Sequence, residues 1–421
     1  MTTALRTGLP RPLTPRNVSF RFLHNVRVYG PFDLPDQTVV EDRLRALFSS
    51  ERGRSVLRSV DRDRATEYVP RGRHAIDAVL DRIVRRSSAT SARELFDELM
   101  ELAAPEVPLE ITVSDQFIGV RPNHSFSDGT SGNAWVVAVV SAAAGTPDFR
   151  LIDDLVTSMA LPRAVARTRL FRPRVLRAAL SSARQHVPEI VPPEPQPRAP
   201  VRTAAALLDL EDLRRYAASV APPGEKLSVA SALSLLVLRS ASDIVPDDLD
   251  LAVLMSFEAR RYLGSGHGTS GNFAPALTIG RLRDPQWSPA EISARLSTLV
   301  ESSAPLAVLL RGAALDYRPH RALTTRRGGA TGAHVFRPGR SIALSNILPT
   351  PGYDDFPWSS PVERCCMSAA VTPSGIGITV YTERAGGVLT MSVVDDSQLI
   401  DVDTLLDTVV RESVVRVHGR V

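Results

Sequence analysis

Asn123-His124-Ser125-Phe126-Ser127-Asp128-Gly129 places a histidine, an aspartate four residues on and then a glycine directly behind the apolar stretch Phe117 to Val120. A neutral imidazole, whose ordinary pKa is about 6.5, is the natural general base at pH 7. The glycine permits a tight turn out of a strand, and the aspartate can clamp that turn through a buried ion pair. By composition, eight histidines each followed by such an Asp-Gly would yield about 0.03 matches by chance. The bland alternative is a surface histidine in an ordinary Asp-Gly turn.

On the C-terminal side of this stretch, Ala134 to Ala144 is apolar on all sides, which predicts a buried helix under a sheet. On the N-terminal side, Leu109, Ile111 and Val113 alternate with polar residues as in a strand. Ser91-Ala92-Arg93-Glu94 is a capping box opening a helix that buries Leu95, Phe96, Leu99 and Met100. Earlier still, Ile76, Val79, Leu80, Ile83 and Val84 form the apolar stripe of an amphipathic helix within Arg71 to Arg86.

Near mid-chain, Pro188 to Pro200 reads PEIVPPEPQPRAP, too rich in proline for helix or central strand, and predicts an extended surface linker. Beyond it, helical patterns surround Leu207 to Val220 and Val229 to Leu238, and Leu249, Leu251, Val253 and Met255 alternate as a strand. Ser288-Pro289-Ala290-Glu291 combines an N-cap, a proline at the first helical position and a capping-box glutamate. Short strands then dominate (SIALSNIL, RCCMSAAV, GIGITVYTE, GVLTMSVV) before a closing helix over Asp401 to Val417. Both halves mix strands and helices without a regular βα repeat. The expected architecture is α+β, with an N-terminal lobe over 1–187, a linker over 188–202 and a C-terminal lobe over 203–421.

Composition narrows the function classes. Of 421 residues, 50 are Lys or Arg and 46 Asp or Glu, and Lys226 is the only lysine. A net charge of +4 with carboxylates interleaved among the arginines, and aromatics at 5%, argue against nucleic acid as a partner. Ala134 to Ala144 is about half of the ~20 residues a membrane span needs, and the N-terminus carries no apolar signal core. A cytoplasmic protein without a membrane span is expected. There is no GxxxxGK[ST] loop, no GxGxxG after a strand, no HExxH and no GxSxG. Cys365 and Cys366, adjacent on a strand, face opposite sides and cannot share a metal, so no metal site is expected.

HSFSDG at 124–129 matches the HxxxDG motif, and the chain here resembles the chloramphenicol-acetyltransferase-like superfamily. That superfamily includes thioester-dependent acyltransferases, plant alcohol acyltransferases and the condensation domains of nonribosomal peptide synthetases. Other stretches fit in order: Arg11-Pro12-Leu13-Thr14-Pro15 near the start, Ser256-Phe257-Glu258-Ala259-Arg260-Arg261 followed by Gly271-Asn272-Phe273, and Ser345-Asn346-Ile347. The resemblance spans essentially the whole chain and implies two lobes around a central channel. It implies His124 as general base, Asp128 as a structural carboxylate paired with Arg260 or Arg261, and Gly129 as the residue that allows the turn. Ser345 and Asn346 become candidate donors to the oxyanion. No tightly bound cofactor is implied. The co-substrate would be acyl-CoA or an acyl or peptidyl carrier protein's phosphopantetheine thioester, the acceptor a small-molecule hydroxyl or amine, and the setting bacterial natural-product or lipid biosynthesis. A free-standing condensation enzyme joining carrier-bound units, or a non-catalytic relative binding a carrier or ligand, are the alternatives.

Two departures stand out. Condensation domains carry HHxxxDG, but Asn123 occupies the first histidine's place. The plant enzymes end in DFGWG, where this chain has Asp355-Phe356-Pro357-Trp358. Arg326 and Arg327 could meet phosphates of the co-substrate, as guanidinium forks suit that geometry, or form a solvated loop. His267, His320 and His334 sit in loop-like sequence and read as solvated.

Overall fold

A computed structural model of the chain describes residues 8–418 apart from 14–16, 18–19, 21–22, 63, 65, 156–158, 187–189, 192–200, 223, 225, 265–267, 285–286, 314–334, 337–340, 348–350, 372–376 and 397. The two larger sheets are built from β1 (His24–Gly30), β2 (Val84–Arg86), β3 (Leu109–Val113), β4 (Ile118–Pro122), β5 (Arg202–Asp209), β6 (Ala252–Ser256), β7 (Ala276–Arg281), β8 (Ser341–Ile347), β9 (Cys365–Val371), β10 (Gly377–Ala385) and β11 (Val388–Asp395). Around them lie α1 (Gln37–Ser49), α2 (Arg73–Ile83), α3 (Ala92–Glu101), α4 (Gly129–Ala144), α5 (Ala160–Arg167), α6 (Pro173–His186), α7 (Leu210–Val220), α8 (Val229–Ile244), α9 (Pro289–Glu301) and α10 (Val402–His418).

The first sheet runs β9-β1-β4-β3-β2 and the second β7-β6-β8-β10-β11-β5. Each is mixed. The first is antiparallel except where β2 lies parallel to β3, and the second has β8 parallel to both β6 and β10. The architecture is therefore α+β with two lobes, as the alternation of patterns predicts. Capping signals are met: Ser91 and Ser288 each accept the main-chain N–H three residues on, from Glu94 and Glu291 at 3.1 Å. The reciprocal bond of the first box is shifted by one residue, because the Glu94 carboxylate takes the N–H of Thr90 instead.

The lobes are not divided where the proline-rich segment suggested. β9, expected in the C-terminal lobe, pairs along its whole length with β1 at the edge of the first sheet, from Cys365 opposite Gly30 to Val371 opposite His24. Conversely, Ala160 and Ala164 of α5 and Ala179 and Ala183 of α6, expected in the N-terminal lobe, are buried in the second core with Leu235, Leu277 and Ile292. A strand of small apolar residues specifies that it will be buried but not against which sheet. Residues 188–189 and 192–200 of the expected linker lie outside the described residues; Ile190–Val191 pairs with Val335–Phe336, and Arg202 already opens β5.

A buried polar network joins the two sheets. Glu383 on β10 accepts from the Tyr29 hydroxyl at 3.2 Å and from Ser368 of β9, and Tyr29 contacts Tyr353 at 3.0 Å through their hydroxyls. Burial raises the Glu383 pKa even though the Arg27 guanidinium opposes that shift. Gly377, which opens β10, adopts φ +111°, and a Cβ there would fall 2.4 Å from the Ser341 carbonyl oxygen of β8. Gly377→Ala is expected to lose about 1–3 kcal/mol through backbone strain and that clash, read as a lower urea midpoint. An unshifted midpoint would mean that the two strands do not approach this closely.

Candidate active site

The histidine loop is held at both ends by its own sequence. β4 ends at Pro122, which has no N–H to continue a ladder, and Asn123 makes a bridge to His24. The Asn123 side-chain oxygen accepts from the Ser125 N–H at 2.9 Å and the Ser125 hydroxyl at 2.7 Å, closing the turn locally. At the far end Asp128 caps α4: its carboxylate accepts from the Ser131 N–H at 3.1 Å, and the Ser131 hydroxyl oxygen accepts from the Asp128 N–H at 3.0 Å. Gly129 is the first helical residue. α4 is buried from Ser131 to Val140, and Gly145 closes it at φ 97°. The apolar run at 134–144 thus anchors the loop by packing against α1 and β4.

His124 itself is fixed through its main chain. Its N–H donates to the Leu23 carbonyl at 2.8 Å, and its carbonyl accepts from the Asn272 side-chain amide. The residue is half-buried, its Nδ1 enclosed without a hydrogen-bond partner among the described residues, and its ring stacks on Phe20 with centroids 5.1 Å apart and planes 21° from parallel. Burial lowers its pKa below the ordinary histidine value and the positive charge of Arg27 adds to this, while Asp128, its own main chain and Asn272 oppose it. The imidazole is therefore neutral at pH 7 and has a lone pair to offer.

Asp128 has no such freedom. Its two oxygens receive Arg260 Nη1 and Nη2, both at 2.9 Å, the Phe273 N–H at 2.7 Å, and the N–H and hydroxyl of Ser131. A carboxylate offers about four lone-pair sites, and these donors occupy them all. Burial alone would raise its pKa, but Arg260 and the main-chain donors outweigh that and hold it below the usual carboxylate value. Arg260 is clamped in turn by the carbonyls of Thr269 and Gly271 and by Glu258, whose carboxylate also accepts from the Thr130 hydroxyl. Arg261, the other arginine considered, is exposed and makes no contact with Asp128. The pair thus ties the start of α4 to the 258–273 segment of the second half.

Ser345, half-buried near the end of β8, lies in register with Tyr381 of β10, and Asn346 with Thr382. No hydrogen bond links Ser345 to the histidine loop among the described residues; the Asn346 side chain lies outside them. Arg326, Arg327, His267, His320 and His334 also lie outside them. Asp355-Phe356-Pro357-Trp358 packs against the first lobe, where the Trp358 indole N–H donates to the Tyr353 carbonyl at 2.7 Å and Phe32 meets Phe356 edge-on. Burial pushes the Cys365 thiol up to about 11 and likewise raises Cys366 well above the ordinary thiol value, so both stay protonated. Among the described residues no three His, Cys, Asp or Glu side chains are grouped to hold a metal ion, and no helix is long and apolar enough to cross a membrane.

Three contributors carried little or no signal in the sequence. Asn272 was visible in Gly271-Asn272-Phe273, but its grip on the His124 carbonyl was not. Phe20 and Arg27 lie about a hundred residues upstream, and nothing in their neighbourhood marks them. A cavity of about 390 Å³ adjoins the loop, walled by Ser125, Phe126, Arg58, Trp135, Ser270 and Gly271. The Arg58 guanidinium sits 5.7 Å from the Phe126 ring centroid and pairs with Glu67 at 2.7 Å.

No protein-family model matches the chain, and no curated protein is similar to it at the sequence level. Solved structures are. Polyketide synthase associated protein 5 from Mycobacterium tuberculosis superposes with a TM-score of 0.58 at 13% identity, over 97% of this chain and 98% of its own. The cyclization-docking bidomain of the nonribosomal peptide synthetase EpoB from Sorangium cellulosum gives 0.57 at 12% identity, over 99% and 87%. Trichothecene 15-O-acetyltransferase from Fusarium sporotrichioides gives 0.53 at 13% identity, over 99% of both chains.

Proposed function

Since the chain has the chloramphenicol-acetyltransferase-like fold, we propose that it transfers an acyl group from a coenzyme A or carrier-protein thioester to a hydroxyl or amine, with His124 as general base. The observation that carries this reading is the division of labour in the loop. Asp128 is saturated by Arg260, Ser131 and Phe273, while the neutral, half-buried His124 is held by main-chain bonds and by the stacking of its ring on Phe20.

In this mechanism the imidazole takes the acceptor's proton as its oxygen or nitrogen bonds to the thioester carbonyl carbon. The carbonyl oxygen becomes an oxyanion, for which a nearby donor is needed; Ser345 and Asn346 are the candidates. Collapse of the tetrahedral species breaks the carbon–sulfur bond, and the departing thiolate takes the proton from the imidazolium. Asn123 occupies the first-histidine position of condensation domains, and its side chain is spent inside the turn. That favours acyl transfer to a free acceptor over condensation of two carrier-bound units.

Thiol release from a panel of acyl-thioesters with alcohol and amine acceptors tests the reading. Because the base must be neutral, kcat/KM is expected to fall on the acid side with a midpoint below the ordinary histidine value of about 6.5, given the lowered His124 pKa. A midpoint at or above that value, or no thiol release with any donor, would count against His124 as the base.

A further inference from the structure

The segment from Leu155 to Pro188 contains no carboxylate but seven of the chain's 50 basic residues, all arginines. The rest of the molecule is consequently net negative, and the positive charge is concentrated on α5, α6 and the turn between them. α5 and α6 turn their small apolar residues inward: Ala160, Ala164, Ala179 and Ala183 are buried in the second core. Arg167, Arg169, Arg172, Arg174 and Arg177 are exposed, and among the described residues none pairs with a carboxylate. Amid them Phe171 is 63% exposed, Val175 37% and Met159 75%. Aromatic, Met and Arg residues standing together on a surface without Lys or Glu is the composition of a protein–protein interface, with apolar anchors inside a charged surround.

This face adjoins the candidate active site. The Arg167 guanidinium lies directly over Gly264, where a Cβ would fall 2.7 Å from it. Gly264 leads into the segment whose Thr269 and Gly271 carbonyls hold Arg260 and whose Asn272 holds His124. Leu155, just before α5, lines the 390 Å³ cavity together with Ser270 and Gly271.

We propose that α5 and α6 form the docking face for an acidic acyl carrier protein, which presents its thioester to the adjacent site. That an acidic protein docks here rests on the charge and exposure of the face; that it is an acyl carrier protein rests on the acyl-transfer reading. A lipid surface suits it less well. A helix lying on a membrane turns its apolar side outward, whereas here the apolar sides face the core and only isolated anchors project. Docking driven by arginines is fast and reversible and weakens as salt screens it, which suits a carrier that must leave after each transfer.

The test uses the full chain and a charge-reversed form carrying Arg169→Glu, Arg172→Glu and Arg174→Glu. Each is titrated with an acidic octanoyl-loaded acyl carrier protein at low salt and at about 0.3 M salt. Phosphatidylglycerol vesicles and octanoyl-CoA turnover serve as parallel arms. All three substituted side chains are exposed, so the thermal midpoint should hold, and Phe171→Ser gives a second, uncharged probe of the same face. Wild type should bind the carrier, lose affinity with salt, and bind roughly tenfold more tightly than the reversed form, with octanoyl-CoA turnover the same in both. No carrier binding by the wild type, equal binding by the two forms, loss of vesicle binding in place of carrier binding, or a parallel fall in octanoyl-CoA turnover would each overturn the proposal. Carrier binding without any thioester turnover would support the docking face and overturn the acyl-transfer reading.

Discussion

His124→Ala is expected to lower kcat/KM for acceptor-dependent thiol release by about 10²- to 10⁴-fold, the usual contribution of a positioned general base. It should change folding stability by less than about 1 kcal/mol. The two effects separate because of how the residue is held. The bonds to Leu23 and from Asn272 use the main-chain N–H and carbonyl of His124, which alanine retains. The side chain contributes its stacking on Phe20 and its nitrogen lone pair. Kinetics with a saturating donor, beside a urea titration of the same preparation, would check both halves. Full activity in the variant would remove His124 from the chemistry, and a large loss of stability would mean that the ring supports the loop.

Arg260→Leu should cost about 3–5 kcal/mol of stability at pH 7, because it strands Asp128 as an unpaired buried charge. Asp128 is 1% exposed and Arg260 8%, so solvent cannot substitute for the lost partner. Removing both charges in an Asp128→Leu, Arg260→Leu double variant should recover part of that loss, less the ~1 kcal/mol of the forfeited helix cap. The pH dependence has a definite sign. In the wild type the folded-state pKa of Asp128 is depressed. Its contribution is therefore present above the unfolded carboxylate value of about 3.9 and is lost as pH falls through the lower folded value. In the single variant the pKa of Asp128 should instead be raised by burial, so the gap between wild type and variant narrows toward acid. Urea titrations at neutral pH and near pH 4 would show this; a gap constant with pH would mean that Asp128 titrates normally without its partner.

The parts of the site that were legible in the sequence are those specified over a few residues. His124, Asp128 and Gly129 sit in one turn, and the cap at Asp128 and the apolar run of α4 are read from neighbours within one helix. The capping residues Ser91 and Ser288 were legible for the same reason. The choice between Arg260 and Arg261 was not, since adjacent residues differ only in which way the short 3₁₀ turn at Ala259–Tyr262 directs them. Asn272 and Phe20 reach His124 across 148 and 104 positions, and no local pattern encodes such a meeting. The lobe boundary failed similarly: a proline-rich segment marks where a chain cannot form regular structure, not where its cores divide.

Taken alone, then, the amino-acid sequence determined the α+β class, the buried helix behind the histidine and the local shape of the HxxxDG turn. These rest on side-chain periodicity, capping and glycine's backbone freedom, interactions that close within a few residues. Tertiary structure alone decided that β9 leaves the second half to complete the first sheet, that α5 and α6 pack into the second core with their arginines outward, and that Arg260 meets Asp128. Those outcomes depend on which distant surfaces exclude water against each other, and apolar burial carries no directional label in the sequence.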